Sequence, residues 1–248
     1  DGALVSPAVT LATTHRVLGQ MRHDRRTVAM ATLLPTLLVV LLRFVLDAPR
    51  AFQGVAPSLL GIFPFIVMFL IASVGTLRER TTGTLERLMT MPPDRLDLLL
   101  GYALAFSVFA VVQVALVAAV SLTWLGLTVS GSVALMVTVA VLDALLGMAL
   151  GLLVSAFART EFQAVQFMPL FALPQVLLCG LFVPREEMAP VLTRISDLLP
   201  LSYAVDAMRL VTSSPAVTGG LVRDIAIVGG CGLLALVLGA VTLRRRTP

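Results

Sequence analysis

The residues able to carry out chemistry are few, and their spacing does not suit catalysis. All eighteen basic residues are arginine, so the chain offers no lysine for a GxxxxGK[ST] phosphate-binding loop or for a Schiff base. Its histidines, His15 and His23, both precede the first long apolar stretch, and Cys179 and Cys231 lie inside apolar stretches. An aspartate pair, a Ser/His pair or an HExxH motif would be needed for an intramembrane protease. We therefore predict no catalytic site and no metal site, and any ATP used must be hydrolysed by another chain.

Asp143 is the one acidic residue near the middle of a long apolar stretch. A carboxylate there costs roughly 2.5–3.5 kcal/mol on insertion scales, and such residues are often functional. It is interpreted either as a substrate or proton site facing a cleft, as a protonated interface residue, or as a local break in the helix. Together with Phe167, Met168 and Tyr203 it makes up the predicted substrate pathway.

Long apolar stretches determine the structural class, because 58% of the residues are hydrophobic and only 13% are charged. A helix needs about 20 apolar residues to cross a membrane. The chain is therefore predicted to be a single all-α integral membrane domain over residues 1–248. Six transmembrane helices are predicted, at residues 27–46, 59–77, 98–125, 133–157, 162–182 and 225–243.

Arginines indicate the orientation in the membrane. Six spans place both termini on one side, and assigning that side to the cytoplasm puts twelve arginines inside and five outside. By the positive-inside rule both termini are then cytoplasmic. No short apolar core with a small-residue cleavage site precedes the first span, so no cleaved signal peptide is expected. Native residues are expected before Asp1, because the chain does not start with Met.

Two segments near the predicted cytoplasmic face have helical spacing. Residues 81–91 favour a helix of about two turns that ends at Pro92 and Pro93. Its apolar side suits docking into a partner, although a plain connecting turn is equally compatible. Residues 9–25 carry Leu11, Val17, Leu18 and Met21 on one face, which is typical of an amphipathic helix in the headgroup layer. An ordinary basic stretch beside the membrane is the alternative.

The predicted outer face has one long connection, residues 184–212. Leu192 and Ile195 belong to an apolar repeat before Pro200, and a second short helix follows in which Asp206 and Arg209 are spaced to pair. Paired half-helices dipping into the outer leaflet are predicted, with a small external cap as the alternative. The other outer connections are predicted as a loop at 47–58 and a tight turn at 126–132. Gly147 and Gly151 are predicted to serve packing within the bundle.

Several segments, in order, resemble one family. Residues 79–92, 158–164, 182–188 and 199–209 are similar to ABC-2 type transporter permeases, the exporter subunits of bacterial ATP-binding-cassette systems. The likeness covers nearly the whole chain and agrees with the span count.

This resemblance implies the type V exporter fold, with an elbow helix at 9–25, a coupling helix at 81–91 and outer re-entrant helices. It implies a bacterial inner-membrane location, a second permease (identical or homologous), two copies of a separate ATPase carrying ATP and Mg, and contact with membrane lipids. The substrate would be a drug, antibiotic, lipid or polyketide, and one Trp with two Tyr favours the drug-and-lipid branch. The implied coupling residues are Glu79, Arg80, Gly83, Thr84, Leu85, Glu86, Arg87 and Leu88.

Other functional classes stay open at this point. An ion- or proton-driven secondary transporter would show inverted halves with broken spans and several intramembrane charges. A regulatory or immunity protein of the membrane would keep the same fold without transport. Nucleic acid is not an expected partner, because arginines at loop ends follow from membrane topology alone.

Overall fold

The computed structural model describes residues 6–81 and 95–242, which form helices and connecting turns without a β-strand in these ranges. The all-α class is therefore confirmed for this part of the chain. The helices are α1 Pro7–His23, α2 Arg25–Leu46, α3 Pro49–Thr81, α4 Arg95–Thr123, α5 Val133–Ser155, α6 Glu161–Leu178, α7 Pro190–Ser196, α8 Pro200–Ser213 and α9 Gly219–Thr242, with a 3₁₀ turn at Arg185–Glu187.

Within the described ranges, five helices are long and apolar enough to cross a membrane: α2, α3, α4, α5 and α9. The predicted fifth span corresponds to α6, which is helical for 18 residues. This helix is not one of the five, because three glutamines, one glutamate and two prolines interrupt its apolar residues. The multi-pass arrangement is confirmed, and the count of six spans stays a prediction.

The predicted loop from Asp47 to Ser58 is wrong for most of its length, because α3 begins at Pro49 and continues through this region. Asp47 makes the turn, with a positive φ of 35°. A proline in the first turn of a helix loses no hydrogen bond, so the helix can begin at Pro49. Gln53 then donates to the Gly126 carbonyl at 2.7 Å and accepts from the Thr128 amide at 3.1 Å, which ties the outer turn to α3.

Helix α3 is central in the bundle, and its backbone touches that of α5. In its most apolar window of 18 residues, 72% of the residues are buried, whereas only 22% are buried in the corresponding windows of α2 and α9. A Cβ atom placed on Gly147 would lie 2.2 Å from the Phe65 carbonyl oxygen, and one on Gly151 would lie 2.3 Å from that of Phe69. Only glycine fits at these positions, as in small-xxx-small helix pairs. The predicted internal role of the two glycines is confirmed.

A buried glutamine compensates for the proline inside α2. Pro35 has no N–H, so the carbonyl four residues earlier, on Ala31, loses its helical partner. Gln113 of α4 is fully buried, and its Nε2 donates to the Ala31 oxygen at 2.9 Å. A neighbouring helix thus satisfies the carbonyl that the proline releases, as is typical of membrane-spanning helices.

Substituting Gln113 by leucine is expected to destabilise the protein by about 1 kcal/mol, because the Ala31 carbonyl loses its donor while leucine removes the buried Gln113 Oε1, which has no partner among the described residues. In a Pro35→Ala background the amide of residue 35 can reach the Ala31 carbonyl, so the same substitution should then have a much smaller effect. A double-mutant cycle of unfolding free energies in one detergent measures the difference. Equal losses in the two backgrounds would show that the pairing contributes nothing.

Helix α1 packs on the start of α4 through a face that its apolar pattern does not predict. Asp97 accepts from the Ser6 amide at 2.9 Å and from the Thr10 hydroxyl at 3.2 Å. A Cβ on Gly101 would lie 2.5 Å from the Thr13 Cβ, so the two helices are in close contact. Of the residues on the predicted apolar face, Val17 is buried and Leu11 is 63% exposed, and the position of this helix in the headgroup layer stays a prediction. Thr13 packs against Gly101, and the hydroxyls of Thr10 and Thr14 donate to Asp97 and to the Gly101 carbonyl.

Candidate functional site

The predicted coupling residues lie largely outside the described part of the chain. This holds for Gly83, Thr84, Leu85, Glu86, Arg87 and Leu88, and for the side chains of Glu79 and Arg80. The structure describes the helices on either side of this segment: α3 ends at Thr81 and α4 begins at Arg95. Residues 82–94 therefore connect the central helix of the bundle to the helix that holds α1.

An ion pair joins the end of α3 to the start of α6. Arg78 donates from Nε and Nη2 to the two carboxylate oxygens of Glu161, at 2.9 Å and 3.2 Å. Thr160 caps α6 by accepting from the Gln163 amide at 3.1 Å, which places Glu161 in the first turn. The hydrogen bond from Arg78 lowers the pKa of Glu161. Sequence reasoning missed this pair, although both residues were assigned to the same predicted face.

The Arg78–Glu161 pair is expected to contribute less than about 1 kcal/mol, because both side chains are about half exposed to solvent. The folded-state pKa of Glu161 is depressed, so the contribution is present above its unfolded pKa and is lost as the pH falls through the folded value. Stability of the wild type and of Arg78→Gln should therefore differ at pH 7 and converge in acid. Thermal unfolding of both proteins between pH 3 and pH 7 measures this. A difference that persists at pH 3 would contradict the assignment.

Asp143 lies in the bundle interior. It is fully buried, and neither carboxylate oxygen has a hydrogen-bond partner among the described residues. One oxygen, Oδ2, lies against α3 at Gly61, where a Cβ atom would approach it to 2.8 Å; Met208 of α8 lies beside them. In this conformation the carboxyl group is enclosed by α3, α5 and α8 and faces no open cleft. Its predicted role in the substrate pathway stays a prediction.

The other predicted pathway residues do not form one surface. Met168 and Tyr203 both border the apolar cluster built around Leu59, Ile62 and Phe65. Phe167 packs instead against a separate cluster with Leu77 and makes an edge contact with Phe171 at 6.1 Å. The structure thus brings Met168 and Tyr203 to one part of the core and Phe167 to another.

Arg185 organises residues 184–212, here called the outer segment after its predicted position, through several partners. Its guanidinium donates to Asp206 at 2.6 Å and also to Asp197, and it lies 5.4 Å from the ring centre of Tyr203. Burial raises the pKa of Asp206, whereas the bond from Arg185 lowers it. The predicted pairing of Asp206 with Arg209 is therefore wrong. The planar guanidinium of the mostly buried Arg185 can serve two carboxylates at once, which spacing along one helix cannot reveal.

Arg209 ties the outer segment to the bundle instead. It donates to the Ser58 hydroxyl of α3 at 3.2 Å and to the Gly180 carbonyl at 2.7 Å. The amides of Ser130 and Gly131 donate to carbonyls at the end of α8. Helix α8 is accordingly buried along most of its length, while α7 exposes Leu192 and Ile195. The outer segment therefore closes one end of the bundle with α8 and presents apolar side chains with α7.

The comparison with known families decides the class of the protein. The model of the ABC-2 type transporter family matches residues 9–212, which is most of the chain. The chain belongs to the ABC-2 type transporter family. The resemblance seen in residues 79–92 and 199–209 is thereby confirmed, and so is the class of multi-pass membrane protein.

Individual relatives carry permease names. The probable multidrug ABC transporter permease YbhR of Escherichia coli K12 is 29% identical over 152 residues, which cover 61% of this chain and 41% of that protein. The linearmycin resistance permease protein LnrN of Bacillus subtilis is 27% identical over 179 residues, covering 72% and 44%. The chain thus spans about two fifths of the length of these two relatives.

Proposed function

We propose that this ABC-2 chain is the permease of an ATP-driven exporter that moves a hydrophobic or amphiphilic compound out of the cytoplasm or inner leaflet. The family match over residues 9–212 carries this proposal, since it includes the predicted coupling segment. A separate ATPase, present in two copies, would bind ATP and Mg and dock at residues 81–91. A second permease, identical or homologous, would complete the pathway. The names of the multidrug and linearmycin resistance relatives support a drug, antibiotic or lipid as substrate.

The proposed arrangement is the six-span type V fold in the bacterial inner membrane, with both termini in the cytoplasm. Helix α6 would be the fifth span, kinked by Pro169 and Pro174. Helix α1 would be the elbow, and α7 with α8 the outer re-entrant segment. Support comes from the exposed apolar side chains of α6, among them Leu170 at 63% and Leu173 at 51%, which suit a lipid environment.

Packing supplies a mechanical route from the coupling segment into the bundle. A displacement of residues 82–94 acts directly on α3, and α3 is in backbone contact with α5 at Gly147 and Gly151. The Arg78–Glu161 pair connects the same end of α3 to α6. Because close-packed helices move as units, a displacement of residues 82–94 would move α3 together with α5 and so change the packing around Asp143. ATP-dependent closure of the ATPase would then favour the outward-open arrangement through its different contacts in the two states.

Affinity purification of the full-length protein from its native membrane tests the proposal. We expect an ATPase chain with a GxxxxGK[ST] loop to co-purify, and the reconstituted complex should hydrolyse ATP and export a fluorescent amphiphile from vesicles. A secondary transporter would instead move its substrate with an ion gradient and bring no ATPase. Export that depends on a proton gradient and is indifferent to ATP would overturn the proposal.

Leu85→Asp and Glu86→Arg are expected to abolish ATP-dependent export and ATPase stimulation while leaving membrane insertion normal, because both residues belong to the predicted coupling helix. Arg194→Glu serves as a control, since this exposed arginine lies on the outer segment. Transport and the amount of co-purified ATPase are measured for all three variants. Full export by Leu85→Asp would count against the coupling assignment.

A further inference from the structure

A cavity of about 390 Å³ lies between α1, α2, α3 and α4, away from Asp143 and from the outer segment. The lining includes three equally long stretches, Asp24 to Ala31, Ile71 to Arg78 and Tyr102 to Phe109, and it is completed by Val17, Gln20 and Met21 of α1. Each stretch covers two turns, or about 10 Å along a helix axis. The volume falls within the range of about 300–1,000 Å³ typical of small-molecule sites.

The lining is polar at one end and apolar beyond it. Asp24 and Arg78 provide opposite charges that interact electrostatically, Arg78 is also paired with Glu161, and Gln20 is a further polar residue of the lining. The rest is mainly aliphatic and aromatic, with Phe106 and Phe109 furthest along α4. Asp24 precedes the crossing segment of α2, and Arg78 is the last residue of the crossing segment of α3. The charged end therefore lies at the membrane surface and the apolar end about 10 Å inside.

We propose that this cavity binds a membrane phospholipid whose headgroup carries both a phosphate and a primary ammonium. Arg78 pairs with Glu161 through Nε and Nη2, so its remaining N–H groups would bind the phosphate, as guanidinium groups commonly do. Asp24 would accept hydrogen bonds from the ammonium in addition to its contacts within the protein. One acyl chain would lie along the apolar wall between α2, α3 and α4. The site is separate from the proposed export pathway, and the proposal does not depend on transport.

Gly75 allows the cavity to be filled without disturbing the fold. It lies on the cavity wall, and a Cβ atom there would meet only the Phe106 ring edge at 3.8 Å, an ordinary contact. Gly75→Ala is therefore a matched control that fits, whereas the longer side chain of Gly75→Leu occupies the cavity. Asp24→Asn removes the partner of the ammonium and keeps the size of the side chain.

Native mass spectrometry of the full-length protein, after exchange into vesicles of phosphatidylethanolamine, phosphatidylglycerol or phosphatidylcholine, tests the proposal. Wild type and Gly75→Ala should each retain one phosphatidylethanolamine, and Gly75→Leu should retain about tenfold less at unchanged thermal stability. Asp24→Asn should lose the preference for phosphatidylethanolamine over phosphatidylglycerol, again by about tenfold.

Equal retention by Gly75→Leu and Gly75→Ala would overturn the site. Equal retention of the three lipids by the wild type would overturn the headgroup assignment. A bound non-lipid amphiphile that leaves when ATP and the ATPase are added would show a transported compound, and would likewise overturn the proposal. Because binding is measured on this chain alone, its failure leaves the exporter proposal standing.

Discussion

Gly151→Leu is expected to prevent correct folding, with a loss of stability of about 3 kcal/mol or more. The Phe69 carbonyl oxygen would lie 2.3 Å from the new Cβ atom, and the contacting group is backbone, which cannot rotate away. Helices α3 and α5 would have to separate, and every contact of the central helix would weaken with them. Size-exclusion chromatography and thermal unfolding of the variant in mild detergent measure the loss.

Gly230→Leu is the matched control for this substitution. Gly230 lies in the middle of α9, is exposed, and would have no atom within 4 Å of an added Cβ. The same change in side chain should therefore leave folding intact in this variant. A monodisperse Gly151→Leu protein with the unfolding temperature of Gly230→Leu would contradict the backbone contact between α3 and α5.

Asp143→Leu is expected to stabilise the protein, by up to about 2.5–3.5 kcal/mol, and to abolish export. The stabilisation follows because the carboxyl group is fully buried without a hydrogen-bond partner among the described residues. Replacing an unsatisfied buried polar group by an apolar side chain of similar shape removes that penalty. Loss of export is expected because acidic residues inside membrane spans commonly mark substrate or proton pathways. Thermal unfolding and vesicle export are measured on the same preparation.

Asp143→Asn keeps the shape and removes the charge, so it separates the two effects. Its stability should lie close to that of the wild type, since the amide is equally unsatisfied, while export should again be lost. Destabilisation by leucine would mean that the carboxyl group has a bonding partner. Full export by both variants would remove Asp143 from the proposed pathway.

Much of the fold was predictable because membrane insertion depends on local composition. A segment crosses when about 20 consecutive residues are apolar, and this can be evaluated without knowing what lies beside it. Helices α2, α4, α5 and α9 follow this rule, as their observed bounds lie within a few residues of the predicted spans. The start of α3 was missed because Pro49 and Pro57 were interpreted as loop residues, although a proline is compatible with a helix start.

The sequence by itself therefore determined the class of the protein and its family. Only the tertiary structure decided which polar groups meet. Asp97 accepts a hydrogen bond from the start of α1, and Gln113 donates to the carbonyl that Pro35 leaves without a partner. Asp206 forms an ion pair with Arg185 and not with Arg209, its predicted partner. Each of these contacts joins residues more than 20 positions apart, so it exists only once the helices have packed. Hydropathy is a property of one segment, whereas a hydrogen bond or ion pair needs a second segment at a defined place and angle.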